Sequence, residues 1–138
     1  MRVMILMKST PEMEVPMEPT PEMMEAFAAM DVYQKQLEEA GILDMQGYGL
    51  RPSSEGKRIR FDSGKRMVID GPFPDTKELL AGFSIWKVKD IEEAVEWVKK
   101  GPDPIFGPSE VEIRPIYEYE DLAEFVTPEH LEEQLKKK

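Results

Sequence analysis

The sequence predicts an α+β domain of ferredoxin-like type: an antiparallel sheet with two helices on one face, dimerising sheet to sheet, plus a C-terminal helical extension. Segments of strand and helix character follow one another as strand, helix, strand, two hairpin strands, strand, helix, strand. Two helices shield only one face of such a sheet. Residues 2–8 nevertheless set Val3, Ile5 and Met7 against Met4 and Leu6, and residues 82–88 set Phe83 and Ile85 against Trp86 and Val88. Strands apolar on both sides need cover on both sides. A second sheet from an identical subunit supplies the missing cover, so a homodimer is expected.

Each element has a local cause. After the first strand, residues 9–19 form a loop containing Pro, Glu and Met. Thr20-Pro21 starts a helix, with Thr as N-cap and Pro in the first turn. It runs to about Ala40 with Met23, Phe27, Met30, Tyr33, Leu37 and Ala40 on one face, and Gly41 stops it. A second strand near Ile42–Leu50 is loosened by Gly47 and Gly49. Arg58-Ile59-Arg60-Phe61-Asp62 alternates as a half-buried strand does, Ser63-Gly64-Lys65 turns, and Met67-Val68-Ile69 returns. Gly82–Val88 is the next strand. Asp90 caps the second helix and Glu93 completes a capping box, with Ile91, Ala94, Val95 and Val98 as the buried stripe. Lys99-Lys100 complement the helix dipole and Gly101 ends it. Val111–Ile116 is the last strand. Residues 1–117 thus make one domain and 118–138 an acidic extension, with an apolar segment at Leu122, Phe125 and Val126 and a closing helix from Thr127-Pro128 bearing Leu131 and Leu135.

Composition narrows the function classes. The chain has 138 residues, 41% of them hydrophobic, enough for one globular core. No window approaches the roughly 18 consecutive apolar residues of a membrane span, and the N-terminal run is too short for a signal peptide. The cytoplasm is the expected location. There is no Cys, which removes thiol catalysis and disulfides. A net charge of -10 disfavours nucleic acid. The charge is uneven, because Arg51, Lys57, Arg58, Arg60, Lys65 and Arg66 form a basic ribbon opposed only by Glu55 and Asp62. That ribbon either draws a small anion or is a solvated hairpin edge.

The densest cluster of chemistry is Asp70-Gly71-Pro72-Phe73 followed by Pro74-Asp75-Thr76-Lys77-Glu78. Four ionisable side chains, Asp70, Asp75, Lys77 and Glu78, surround one bend. Asp70 is a candidate general acid or base tuned by Lys77; alternatively its carboxylate serves the backbone of the turn. Lys77 and Glu78 are candidates for a pocket floor or for an exposed ion pair. Glu112 and Arg114 share a strand face, where Arg114 either binds a carboxylate or phosphate bidentately or forms a cross-strand salt bridge. Neither a Gly-rich phosphate loop nor a zinc spacing occurs, so no cofactor or metal is expected. The ten methionines read as plastic core filler.

Asp70-Gly71-Pro72-Phe73, Thr76-Lys77-Glu78, Gly82-Phe83, the helix Ile91–Trp97 and Glu112-Ile113-Arg114-Pro115 together resemble the YCII-related family, DGPF branch. The resemblance implies a ferredoxin-like dimeric α+β barrel. Another branch of the family is expected to use a His–Asp pair, with the His at the start of the first helix. This chain has Glu22-Met23-Met24 there, and its single histidine, His130, lies in the tail. Asp103-Pro104 resembles that branch's acidic motif without its His partner, and Asp103 is a ligand-binding candidate. The expected function is acid–base chemistry, an isomerisation or elimination, on a small anionic or aromatic molecule near the Asp-Gly-Pro-Phe turn. The alternative is a non-catalytic ligand-binding or regulatory module linked to transcriptional signalling, which the DGPF resemblance implies.

Overall fold

A computed structural model describes the chain except for residues 16–17, 104–107, 124, 126–128, 130–131, 134–135 and 137–138. Six strands and two α-helices follow as β1 (Arg2–Lys8), α1 (Pro21–Glu39), β2 (Leu43–Gly49), β3 (Lys57–Asp62), β4 (Lys65–Asp70), β5 (Leu80–Lys87), α2 (Ile91–Lys100) and β6 (Val111–Pro115). The main sheet has four strands in the order β2-β5-β1-β6, and every pairing is antiparallel. Each helix therefore carries the chain over one intervening strand, which is the ferredoxin-like crossover expected from the element order.

Local signals set the boundaries. The Thr20 hydroxyl accepts the Met23 N–H at 3.2 Å, and Asp90 accepts the Glu93 N–H at 2.9 Å. The Glu93 carboxylate reaches back to the Lys89 N–H at 3.1 Å, one residue before the cap. Gly41 leaves α1 at φ 74°, a left-handed conformation that costs glycine little. Ser63 and Gly64, at φ 48° and 82°, make the two-residue turn whose twist suits a hairpin.

The core lies on one side of the sheet. Val3 and Ile5 of β1, Trp86 of β5, Tyr33 and Leu37 of α1 and Ala94 of α2 are buried together, with Ile113 and Val98 packed against them. Register places Met4 opposite Ile85 and Leu6 opposite Phe83 on the other face, where all four are half-buried. The apolar character of both faces of β1 is thus real, and within the described residues the helices cover one of them.

Two expectations are corrected. The alternating segment in β3 is not half-buried: among the described residues β3 and β4 pair only with each other, and Ile59 and Phe61 are 56% and 69% exposed. The alternation is present, but the described residues supply no surface for it to pack on. The apolar stripe of α1 is buried only toward its C-terminal end, for Phe27 is 63% exposed while Leu37 is fully buried. The N-terminal half of α1 stands away from the sheet. The closing helix expected from residue 127 lies largely outside the described residues, and none of the described helices is long and apolar enough to cross a membrane.

Candidate functional site

The Asp70–Glu78 bend is held by backbone and short side chains. Gly71 donates its N–H to the Gly56 carbonyl at 3.0 Å, and Phe73 donates to the Ser53 hydroxyl at 3.0 Å. The Glu14 carboxylate accepts the Ser53 N–H at 2.9 Å and also the Ser53 hydroxyl proton. Three short segments, around residues 14, 53 and 71–73, are tied into one knot on buried Ser53. Gly71 is required there, because a Cβ would lie 1.7 Å from the Ser53 carbonyl oxygen. The Gly71-Pro72 peptide is cis. The Arg58 guanidinium lies 4.0 Å from the Phe73 ring centroid, a cation–π contact that covers the ring.

The candidate catalytic residues of this bend face outward. The Asp70 side chain is 75% exposed and pairs with Lys57 at 2.6 Å across the hairpin. Lys77 and Glu78 sit exposed on a single 3-10 turn, Thr76–Glu78, which closes on Asp75 through the Lys77 and Glu78 N–H groups at 3.2 Å. Among the described residues, no wall rises around these three side chains to desolvate them.

Glu112 and Arg114 lie on the sheet face away from the helices. Arg114 donates to Glu112 at 3.1 Å, and Lys8 on the neighbouring strand reaches Glu112 at 3.2 Å. Arg114, and after it Lys8, hold the Glu112 carboxyl below the usual carboxylate range. Arg114 is thereby occupied by a partner on its own strand, not by the cross-strand salt bridge expected as its alternative to a ligand.

The enclosed space is elsewhere. A cleft of about 630 Å³ opens where the first half of α1 leaves the sheet. Ile5, Met7 and Trp86 form its floor, Met30, Tyr33 and Gln34 its roof, and β2 its side. Gly47 thins that side, so the Gln34 amide lies 3.7 Å from where a Gly47 Cβ would be. The charged lining residues Asp31, Lys35, Glu38 and Asp103 are exposed and mark the rim. Of the six candidates from sequence, only Asp103 is brought to this cleft, where its carboxylate accepts the Ser109 hydroxyl at 3.3 Å.

Inside the cleft most polar groups are spoken for. The Ser84 hydroxyl donates to the Met45 carbonyl at 2.9 Å, and the Tyr33 hydroxyl donates to the Trp97 carbonyl. Burial pushes the Tyr33 hydroxyl up to about 12. Two side-chain atoms of lining residues, Trp86 Nε1 and Gln34 Oε1, are sealed from solvent and have no partner among the described protein atoms. Sequence reading missed the cleft, whose one local signal was Gln34, a polar side chain beside Tyr33 on the stripe that runs from Met30 to Leu37.

The model of the YCII-related domain matches residues 1–120. The chain belongs to the YCII-related family. An uncharacterized protein of Rhizobium meliloti (strain 1021) is 30% identical to this YCII-related chain over 70 residues, which are 51% of the chain and 56% of that protein. The match therefore spans little more than half the length of that relative. Among solved structures, the chain is similar to the 5-chloro-2-hydroxyhydroquinone dehydrochlorinase of Burkholderia phenoliruptrix AC1100 in complex with 2,5-dihydroxybenzoquinone. The identity is 18%, the coverage 88% of this chain and 99% of that one, and the TM-score 0.45. A likeness of that size carries nothing about the chemistry of this chain.

Proposed function

We propose that this YCII-related protein binds a small aromatic or otherwise apolar molecule in the cleft between α1 and the sheet. The observation that carries the reading is a concave, mainly apolar space of about 630 Å³, the usual form of a small-molecule site. Methionines 7, 13 and 30 in its walls give it adaptable sides. Ala26→Trp, on the part of α1 that stands off the sheet, fills the mouth. Single-ring aromatics are expected to raise the melting temperature of the wild type and not of this variant. Equal shifts in both proteins place the ligand elsewhere.

A catalytic form of the reading is favoured by Asp103, an ionisable group at the rim and therefore within reach of a bound molecule's polar edge. Isomerisation or elimination needs one positioned acid–base group and no cofactor. A screen of lactones and of halogenated or hydroxylated aromatics against Asp103→Asn and Asp70→Asn separates the candidates. Loss in the first variant alone favours the cleft, loss in the second alone favours the Asp-Gly-Pro-Phe turn, and turnover in neither form nor in the wild type leaves a binding or regulatory module. For assembly, we propose that two copies pair through the sheet face carrying Met4, Leu6, Phe83 and Ile85.

A further inference from the structure

We propose that Glu14 is a positioning residue for the cleft: by clasping Ser53 it holds Met13 in the wall that the ligand meets. Through Ser53 the Asp-Gly-Pro-Phe turn then shapes the site without touching the bound molecule. This rests on the cleft being the binding site and names what fixes one of its walls.

Among the described residues between β1 and α1, Met13 is the one that lines the cleft. Met13 and Glu14 end a 3-10 turn of four residues, Pro11–Glu14. Such a turn advances by about 120° per residue, so neighbouring side chains leave it in different directions. Met13 goes to the cleft wall and Glu14 to the knot on Ser53. The Met13 N–H donates to the Thr10 carbonyl at 3.0 Å, but a single turn of this kind is weak by itself. Its two ends place it. Before the turn, the Ser9 N–H donates to the Leu79 carbonyl at 2.9 Å. At its end, one Glu14 oxygen takes the Ser53 N–H at 2.9 Å and the other takes the Ser53 hydroxyl proton. Both are bonds to a carboxylate, which are the stronger kind.

The anchor itself is fixed by the motif. Ser53 is buried, and its hydroxyl oxygen accepts the Phe73 N–H at 3.0 Å. The Gly71 backbone packs so closely on Ser53 that a Cβ would lie 1.7 Å from the Ser53 carbonyl oxygen. The ionisable side chains of the Asp70–Glu78 bend face outward, so its influence on a ligand in the cleft passes through Ser53 and Glu14. What the clasp fixes is the backbone of Met13, while the flexible thioether still adapts to the molecule it touches.

The test is a double-mutant cycle on toluene binding, followed by NMR of isotope-labelled methionine methyl groups. Glu14→Ala and Ser53→Ala are each checked for a retained fold by their spectra, and if one fails to fold the other carries the cycle. In the ligand-free protein, either substitution is expected to move the Met13 methyl resonance toward that of a solvated methionine while the Met30 resonance stays. Each is expected to weaken toluene binding about fourfold, the worth of roughly one buried methylene. Met13→Ala is expected to weaken it at least as much. In the Met13→Ala background, Glu14→Ala or Ser53→Ala then changes the affinity by less than about twofold, because both residues act through Met13. A generally looser fold, or a direct contact with the ligand, weakens binding alike in both backgrounds. Equal losses with and without Met13, or an unmoved Met13 resonance, overturn this inference and leave the cleft standing. If toluene perturbs none of the Met7, Met13 and Met30 methyl groups of the wild type up to its solubility limit, the inference and the cleft reading fall together.

Discussion

The Tyr33 hydroxyl donates to the Trp97 carbonyl, and its ring lies so close to the chain after α2 that a Cβ on Gly101 would come within 2.6 Å of it. Packing and ionisation are joined in this one side chain. Burial raises its folded pKa to about 12, whereas an unfolded tyrosine ionises at about 10. The unfolded chain therefore loses this proton first as the solution becomes alkaline. The stability tied to the neutral hydroxyl is complete below about pH 10 and is lost as pH rises toward the folded value. Denaturant midpoints of the wild type are expected to fall over that window. Tyr33→Phe is expected to lose about 1 kcal/mol at neutral pH through the missing hydrogen bond, and to show a shallower alkaline decline. An alkaline slope equal to that of the wild type would assign the loss to other groups. The place of Tyr33 on the helix stripe was legible from spacing. Its partner, 64 residues away, was not, because nothing local in either segment specifies the other.

At the scale of elements, the Asp-Gly-Pro-Phe turn is a fastener for three connections, and the physical reason is its bonding. Ser53 accepts from Phe73 while Glu14 holds Ser53, so the segments before α1, after β2 and after β4 share one polar centre. Gly71→Ala is expected to cost about 1–3 kcal/mol, since the new methyl group meets backbone rather than a movable side chain. Asp70→Asn removes an exposed pair and is expected to cost less than about 1 kcal/mol. Urea unfolding of both variants checks this ordering, and near-equal costs would return the weight of the motif to its carboxylate. The caps at Thr20 and Asp90 and the turn at Ser63-Gly64 were readable because each is satisfied within four residues of itself. The fastener was not, because its members lie 20 and 39 residues apart. The same distinction applies to β3. Its alternation is a local pattern, while its exposure depends on where the hairpin goes. Asp103 was a candidate from a short motif, whereas the cleft it borders exists only once α1 crosses the sheet.

At the scale of the molecule, the sheet has one face under the helices and one bearing Met4, Leu6, Phe83 and Ile85. Element order was enough to foretell the ferredoxin-like strand arrangement, because two crossovers of helix length leave few ways to order four antiparallel strands. It did not foretell that β3 and β4 leave the sheet, since a hairpin inserted after an edge strand satisfies its own ladder either way. The outward hairpin carries Lys57, Arg58, Arg60, Lys65 and Arg66 against Asp62 and Asp70, on a chain whose net charge is -10. A basic arm on an acidic body favours approach of a second copy, and an apolar sheet face gives that copy something to cover. The protein is expected to sediment at twice its 15.9 kDa chain mass. Ile85→Glu puts a charge in the middle of the proposed interface, on a residue already half-exposed to solvent within one chain. It is expected to shift the species to the monomer with the secondary structure retained, as read by sedimentation and circular dichroism. Because Ile85 points away from the cleft, affinity for single-ring aromatics per chain should change by less than about threefold, a difference well inside one hydrogen bond. A monomeric wild type, or a variant that remains dimeric, would remove the open sheet face as the contact and leave the hairpin's Ile59, Phe61 and Val68 as the apolar surface to test next.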